Sequence, residues 1–394
     1  MPLTLAHDVK IDPSRDSLAR QDFISTLRGH ILTTMANDMK LRFEETVSPA
    51  FERSKGRAPE TQDEVHAAMR KDLSFKFYSA VRVNAQEMVW RSVIPAIEQN
   101  MAVLEARADA AKAGAKGSLT LNPTLAIPSN VGAVDVHLMP GGYALDAGLA
   151  PGAIYDSGLA VFSAGFMGKN LDDIGQSMAN YVKHRFPDFK PERILDVGCT
   201  IGHNSTAWAE TFPAAEVHAV AVAGPVVEYG HARAESLGLA VHFHQMDARK
   251  LSFADNSMDV VFTSMFLHEL SVKDIKGFMA EAHRVLRPGG LFLTMELPPN
   301  HELQPYDQFY LDWDCYYNNE PFYRTYRDQK PADLTSAGGF APGAYFQFTV
   351  PQFSYMPEDA FIEAVNNPPE IGGDTGRLSD SVQWFGFGAW KAVS

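Results

Sequence analysis

Between Ile194 and Asn204 the chain reads Ile-Leu-Asp-Val-Gly-Cys-Thr-Ile-Gly-His-Asn, an order of residue types that few folds accommodate. An apolar run of strand length ends in a carboxylate, and a turn punctuated by glycine then opens a helix. Glycine at such a turn lets a ligand reach bare backbone at a helix N-terminus, where N–H groups point outward. The pattern belongs to parallel sheets, and it places a ligand beyond the C-terminal strand ends. Downstream, the alternation continues. Strands are predicted near residues 193–197, 217–222, 240–244, 259–264 and 290–296, with amphipathic segments between them. Tyr345–Val350 and Val382–Trp390 complete a mostly parallel α/β sheet of seven strands with helices on both faces. A short amphipathic helix is expected at Ile174–Phe186.

The first third has a different rhythm. Ile24, Leu27, Ile31, Met35 and Met39 recur at three- and four-residue steps, one face of a helix. Ser54–Pro59 breaks that pattern, and Thr61 with Glu64 forms a capping box for a new helix. Val89, Val93, Ile97, Met101 and Leu104 mark a further apolar face, in which Pro95 is expected to kink or divide the helix. Such stripes read as core packing or a dimer interface. Gly114–Pro151 is rich in glycine and proline and reads as a connector with one strand at Val131–Leu138. The chain thus divides into a helical region over 1–150 and an α/β domain over 151–394. An insertion at about 300–335 is expected to act as a lid.

Bulk properties narrow the function classes. The formal net charge of −14 argues against a nucleic-acid partner. No apolar run approaches the ~20 residues of a membrane span, and the N-terminus lacks a basic patch leading into an apolar segment. Two cysteines make a disulfide framework improbable and a reducing cytoplasm the default. His242-x-His244 reads as sheet packing, so no metal is expected.

After the glycine turn come, in order, Asp247-Ala248, Met258-Asp-Val-Val-Phe-Thr-Ser264 and His283-Arg-Val-Leu-Arg-Pro-Gly-Gly290. The ordered set resembles the class I methyltransferases, which use S-adenosylmethionine (SAM) and release S-adenosylhomocysteine (SAH). The resemblance covers roughly residues 165–350 and implies a Rossmann-like sheet. In that family the first turn holds the methionine part of SAM. The resemblance assigns Asp196, Gly198 and Gly202 to that turn, with Thr200 where the family has its middle glycine. It also carries the donor site to Val222, Asp247, Ala248 and Ser264, with Asp247 on the adenine amino group. One position departs from the family. The second strand usually ends in an acid that grips the ribose hydroxyls, and here Ala221 stands in its place. Loss of a charged acceptor from a buried hydroxyl pair costs ~1.5–3 kcal/mol unless another group substitutes.

The fourth strand runs into Leu267-His268-Glu269, similar to the Leu-His-Asp-like motif of small-molecule O-methyltransferases, where the histidine is the general base. The fifth strand ends in Glu296-Leu-Pro-Pro, similar to those enzymes' Glu-x-x-Leu-Pro-like ending. The resemblance therefore implies His268 as base, Glu296 as its orienting carboxylate and Glu269 beside them. Between the fifth and sixth strands, Tyr306, Phe309, Tyr310 and Trp313 are mixed with Asp307, Asp312, Asp314 and Glu320. Aromatic faces with carboxylates suit a flat or cationic acceptor, although packing against the N-terminal helices explains them equally. Tyr155 and Phe166 are expected to close the same pocket. The leading expectation is methyl transfer to a small-molecule hydroxyl by a homodimer. An N- or S-methyltransferase, a SAM-fold cyclase and a catalytically silent SAM-fold binding protein are the alternatives.

Overall fold

The structure is a computed structural model and describes residues 5–378 and 382–393. Among these residues eight strands form one sheet. They are β1 (Ser118–Thr120), β2 (Arg193–Val197), β3 (Glu216–Ala221), β4 (Val241–Gln245), β5 (Met258–Ser264), β6 (Leu286–Glu296), β7 (Tyr345–Pro351) and β8 (Gln383–Trp390). Their spatial order is β1-β4-β3-β2-β5-β6-β8-β7. Strands β1 to β6 pair in parallel, and β8 enters antiparallel between β6 and β7. The chain steps outward from β2 through β3 to β4, then returns to place β5 on the other side of β2. That reversal opens a crevice at the C-terminal ends of β2 and β5.

Alternation along the strands fills both faces. Ile194, Val260, Phe262, Leu291 and Leu293 pack with Ile174, Met178, Val182 and Trp208 on one side. Leu195, Val261 and Phe292 pack with Ile275, Phe278 and Met279 on the other. The Asp173–Arg185 helix lies close to its expected bounds.

The connector departs from expectation. It contributes β1, which pairs with β4 at the sheet edge. Val131–Leu138 is not a strand: it forms a helical turn at Ser129–Gly132 and a tight turn at Val136–Leu138. Its valines suit a strand, but side-chain donors hold it off the sheet. The His137 carbonyl accepts from Gln86 Nε2 at 2.8 Å and from Trp90 Nε1 at 2.7 Å. His137 and Leu138 both adopt left-handed backbone, φ 56° and 60°, a costly conformation for residues with a Cβ.

The N-terminal helices begin at Arg15, capped by Ser14. Two π-helical segments, Ile31–Met35 and Phe43–Val47, interrupt an otherwise continuous rod that ends at Lys55. Thr61 caps Gln62–Met69, and Glu64 accepts from the Glu60 N–H. The Leu73–Glu98 helix runs through Pro95 and ends three residues later, before Met101–Lys112. The aromatic segment folds as the helix Pro305–Tyr317 followed by Tyr323–Arg327. It is clamped to the N-terminal helices: Trp313 stacks on Tyr78 at 4.9 Å, and Arg82 Nε donates to Asp314 at 2.7 Å.

Candidate active site

Where β2 ends, the chain turns through Gly198, Cys199 and Thr200 into the His203–Thr211 helix. Gly198 (φ 80°) has no room for a side chain, which would overlap the Phe266 ring. Gly202 (φ 77°) has its back to β4, where a Cβ would stand 2.5 Å from Phe243. Thr200 takes φ 51°. The position where the family has its middle glycine is left-handed in this chain, although a threonine fills it.

A cavity of about 320 Å³ opens over this turn, at the sheet's crevice. Gly198, Thr200, Ala221, Val222, Asp247, Ala248 and Ser264 all line it. Asp196 and Gly202 do not; they support the turn from behind. Asp196 is 1% exposed and accepts from Ser205 Oγ at 2.5 Å, and burial pushes its carboxyl up to about 7. Asp247 is gripped by Arg249, with Nε 2.9 Å from Oδ1 and Nη2 2.6 Å from Oδ2, and this pairing holds its pKa low. Ala221 offers no carboxylate. The bare-backbone turn at a helix start, with Asp247 across the cavity, fits an adenosyl-sulfonium donor everywhere except at the ribose acceptor.

The chemical end is built on the strand ends of β5 and β6. Glu296 is fully buried, and its Oε1 accepts the backbone N–H groups of Phe266 (2.8 Å) and Leu267 (2.6 Å). Its Oε2 lies 2.7 Å from His268 Nδ1. His268 lines the cavity, and Tyr323 packs edge-on against its ring at 5.2 Å. Burial lowers the pKa of His268. The Glu296 charge and hydrogen bond, with Glu320 and Glu269, outweigh that and raise it from 6.5 to about 9.

Glu269 continues the constellation. Its Oε1 lies 3.9 Å from His268 Nε2 and 3.8 Å from His137 Nε2. His137 Nδ1 in turn lies 3.0 Å from Glu320. Burial pushes the Glu269 carboxyl up. Burial also opposes ionisation of His137 and Glu320, but their mutual attraction wins, raising the pKa of one and lowering that of the other. Two histidine–glutamate pairs thus flank one shared carboxylate.

Of the expected acceptor residues, Tyr155 and Tyr310 line the cavity. Phe166, Tyr306, Phe309 and Trp313 do not. Phe309 and Trp313 pack on Phe75, and Tyr306 lies against Phe43 at 4.8 Å. Helix-spaced aromatics had two outlets, the cavity or the N-terminal helices, and most face the helices. His137, Arg28 and Arg377 line the cavity without any motif to announce them. Only the odd chemistry of a histidine in a valine-rich stretch hinted at the first.

A buried carboxylate ties the donor turn to the rest of the molecule. Asp156, fully buried, lies 2.9 Å from Nε2 of His203 and 2.7 Å from Nε2 of His7, and it accepts from Tyr229 OH at 2.9 Å. Burial opposes its charge, but His7, His203 and Arg233 hold its pKa well below the usual range.

Residues 194–290 match the family model described as a methyltransferase domain. The chain is 34% identical over 109 residues to a demethylmenaquinone methyltransferase of Thermus thermophilus, covering 28% of this chain and 49% of that one. It is 30% identical over 125 residues to a fatty-acid O-methyltransferase of Mycolicibacterium smegmatis, covering 32% and 44%. The chain therefore spans about half the length of the curated relatives it matches. A solved structure of phosphoethanolamine N-methyltransferase 2 from Haemonchus contortus, in complex with SAM, aligns at 18% identity over 60% of this chain and 57% of that one, with a TM-score of 0.40. The matched segment begins at β2 and ends at the Gly-Gly turn within β6, the part of the sheet that carries the glycine turn and His268. The chain carries a class I SAM-dependent methyltransferase domain.

Proposed function

We propose that this chain transfers a methyl group from SAM to a hydroxyl of a small-molecule acceptor, with His268 as general base. The observation that carries this reading is the buried Glu296–His268 pair at the cavity wall. SAM supplies an electrophilic methyl group; the chain supplies position, dryness and a proton acceptor. Gly198, Thr200, Val222, Asp247, Ala248 and Ser264 would hold the donor. With Nδ1–H committed to Glu296, neutral His268 presents a bare lone pair at Nε2. The acceptor's proton passes to Nε2 as its oxygen takes the methyl group, and Glu296 stabilises the resulting imidazolium. With its pKa raised to about 9, His268 is mostly protonated at pH 7, so turnover should rise with pH toward 9.

Homodimerisation through the helical region is part of the same reading. It is supported by Leu73 and Phe77, one helical turn apart and 79% and 64% exposed. A cytoplasmic setting is supported by two free, buried cysteines. The test is a screen of hydroxylated small molecules for SAH release, followed by comparison of wild type with His268→Ala on the acceptor found. Near-wild-type kcat in the variant, with chemistry rate-limiting, would remove the base and favour an acceptor that is already nucleophilic.

A further inference from the structure

The same cavity carries, on its helical wall, a guanidinium short of counter-charge. Arg28 is 1% exposed and reaches the cavity. Its Nη1 donates to Gln86 Oε1 at 2.7 Å and its Nε to the Phe162 carbonyl at 2.8 Å, both neutral partners. Among the described residues Nη2 has no protein partner, and Arg28 makes no ion pair. The carboxylate in its surroundings, Asp314, is already held by Arg82 at 2.7 Å. Arg377, also on the wall, stacks 4.0 Å over the Tyr310 ring and reaches Asp374 at 3.4 Å, whose side chain is 74% exposed. Among the described residues, the two buried guanidiniums Arg28 and Arg82 therefore have one nearby carboxylate, Asp314, between them. Burial and the neighbouring Arg82 charge lower the Arg28 pKa to about 9, which still leaves it a cation at neutral pH. A charge buried this deeply is costly unless an opposite charge meets it.

Phe162 sets the scale of what fits. Its ring centre is 4.0 Å from the Arg28 guanidinium carbon and 6.2 Å from the centre of the His137 ring. One phenyl ring separates the uncompensated cation from the histidine–glutamate end of the cavity.

We propose that the acceptor is a small hydroxy acid whose carboxylate pairs with Arg28 while its hydroxyl lies at the histidine end. The proposal rests on the methyl-transfer reading and names the class of molecule that fills the site. A carboxylate supplies the missing counter-charge and a charge-assisted hydrogen bond to Nη2. The matching amide has the same shape and supplies no charge.

The test is calorimetry on the full chain with matched probes: 4-hydroxybenzoate against 4-hydroxybenzamide, and 4-hydroxyphenylacetate against its amide, with and without SAH. At least one acid is expected to bind about tenfold or more tightly than its amide. Arg28→Gln, checked for folding by circular dichroism, should bring that ratio close to one. If the variant does not fold, the wild-type ratio decides. Equal affinity within both pairs, no binding by either acid at millimolar concentration, or a ratio unchanged in folded Arg28→Gln would overturn the proposal. SAH titration reports separately on the donor site. Bound SAH without acid preference sinks the anion site alone. Acid preference without SAH binding sustains the anion site and sinks the methyl-transfer reading.

Discussion

The two walls of the cavity are made in opposite ways. The wall proposed for the donor is local: the turn after β2, the ends of β3 and β4, and Ser264 come from one continuous run of chain, residues 198–264. The wall proposed for the acceptor is assembled from afar, with Arg28, His137, Tyr155, Tyr310, Glu320 and Arg377 drawn from five separate stretches of chain. A local wall is set by backbone geometry and tolerates little change. A wall assembled from distant parts is set by how helices pack, and it can change ligand without disturbing the sheet.

That contrast is sharpest at Gly198. Gly198→Val forces a β-branched side chain into left-handed backbone and into the Phe266 ring. SAH binding should fall below detection by calorimetry while the fold, followed by circular dichroism, persists. Retained binding would show that the donor wall is as adaptable as the acceptor wall. His268→Ala sits where the two walls meet. It should lower kcat by on the order of 10²–10⁴ and leave the SAH dissociation constant close to wild type. An effect confined to KM would assign His268 to binding.

Phe309→Ala tests the acceptor side from behind. The ring is 2% exposed and packed on Phe75 and Tyr306. Thermal or denaturant unfolding should reveal a loss of about 3–5 kcal/mol, with the acceptor KM of the folded enzyme unchanged. A raised KM at unchanged stability would move Phe309 into the pocket. The smallest expected effect is on pH dependence. The folded-state pKa of His268 lies above its ordinary 6.5, at about 9. Its contribution to stability is therefore complete below pH 6.5 and lost as pH rises through 9. Melting temperature should decline across that window in wild type and less steeply in Glu296→Gln. The kcat midpoint should move down in the same variant. Parallel profiles would show that Glu296 acts on its backbone partners and not on the imidazole.

The same division decides what could be read from sequence. Strands β2, β3, β5 and β6 were legible because their centres are buried on both faces; β4 is buried on one face only, and the amphipathic segment expected between it and β5 is an irregular loop, not a helix. The His268–Glu296 approach was legible because the two lie one strand–helix–strand crossover apart, at the C-terminal ends of paired strands. Val131–Leu138 was misread because its valine spacing suits a strand, whereas distant side chains, Gln86 and Trp90 among them, hold it in turns. Arg28 gave no signal, since an arginine in a helix is ordinarily solvated. Its burial depends on Gln86 and Phe162, far away in the chain. Pro95 was expected to kink or divide its helix, and the division falls just after it, between Glu98 and Met101, where a proline near a helix end costs little.

The carboxylate of Asp156 limits how the chain can be recombined. His203 and Tyr229 belong to the widely shared methyltransferase segment, yet they close on an acid supplied from outside it, together with a histidine from the seventh position of the chain. A chimera that grafts residues 194–290 onto a foreign helical partner inherits both ligands and loses their anion. One that keeps the foreign partner and restores only Asp156 still lacks His7. The added helices are thus no detachable cassette. They and the sheet are joined through one buried carboxylate, and any swap of the helices must carry the whole knot or replace it with apolar residues in a single stroke.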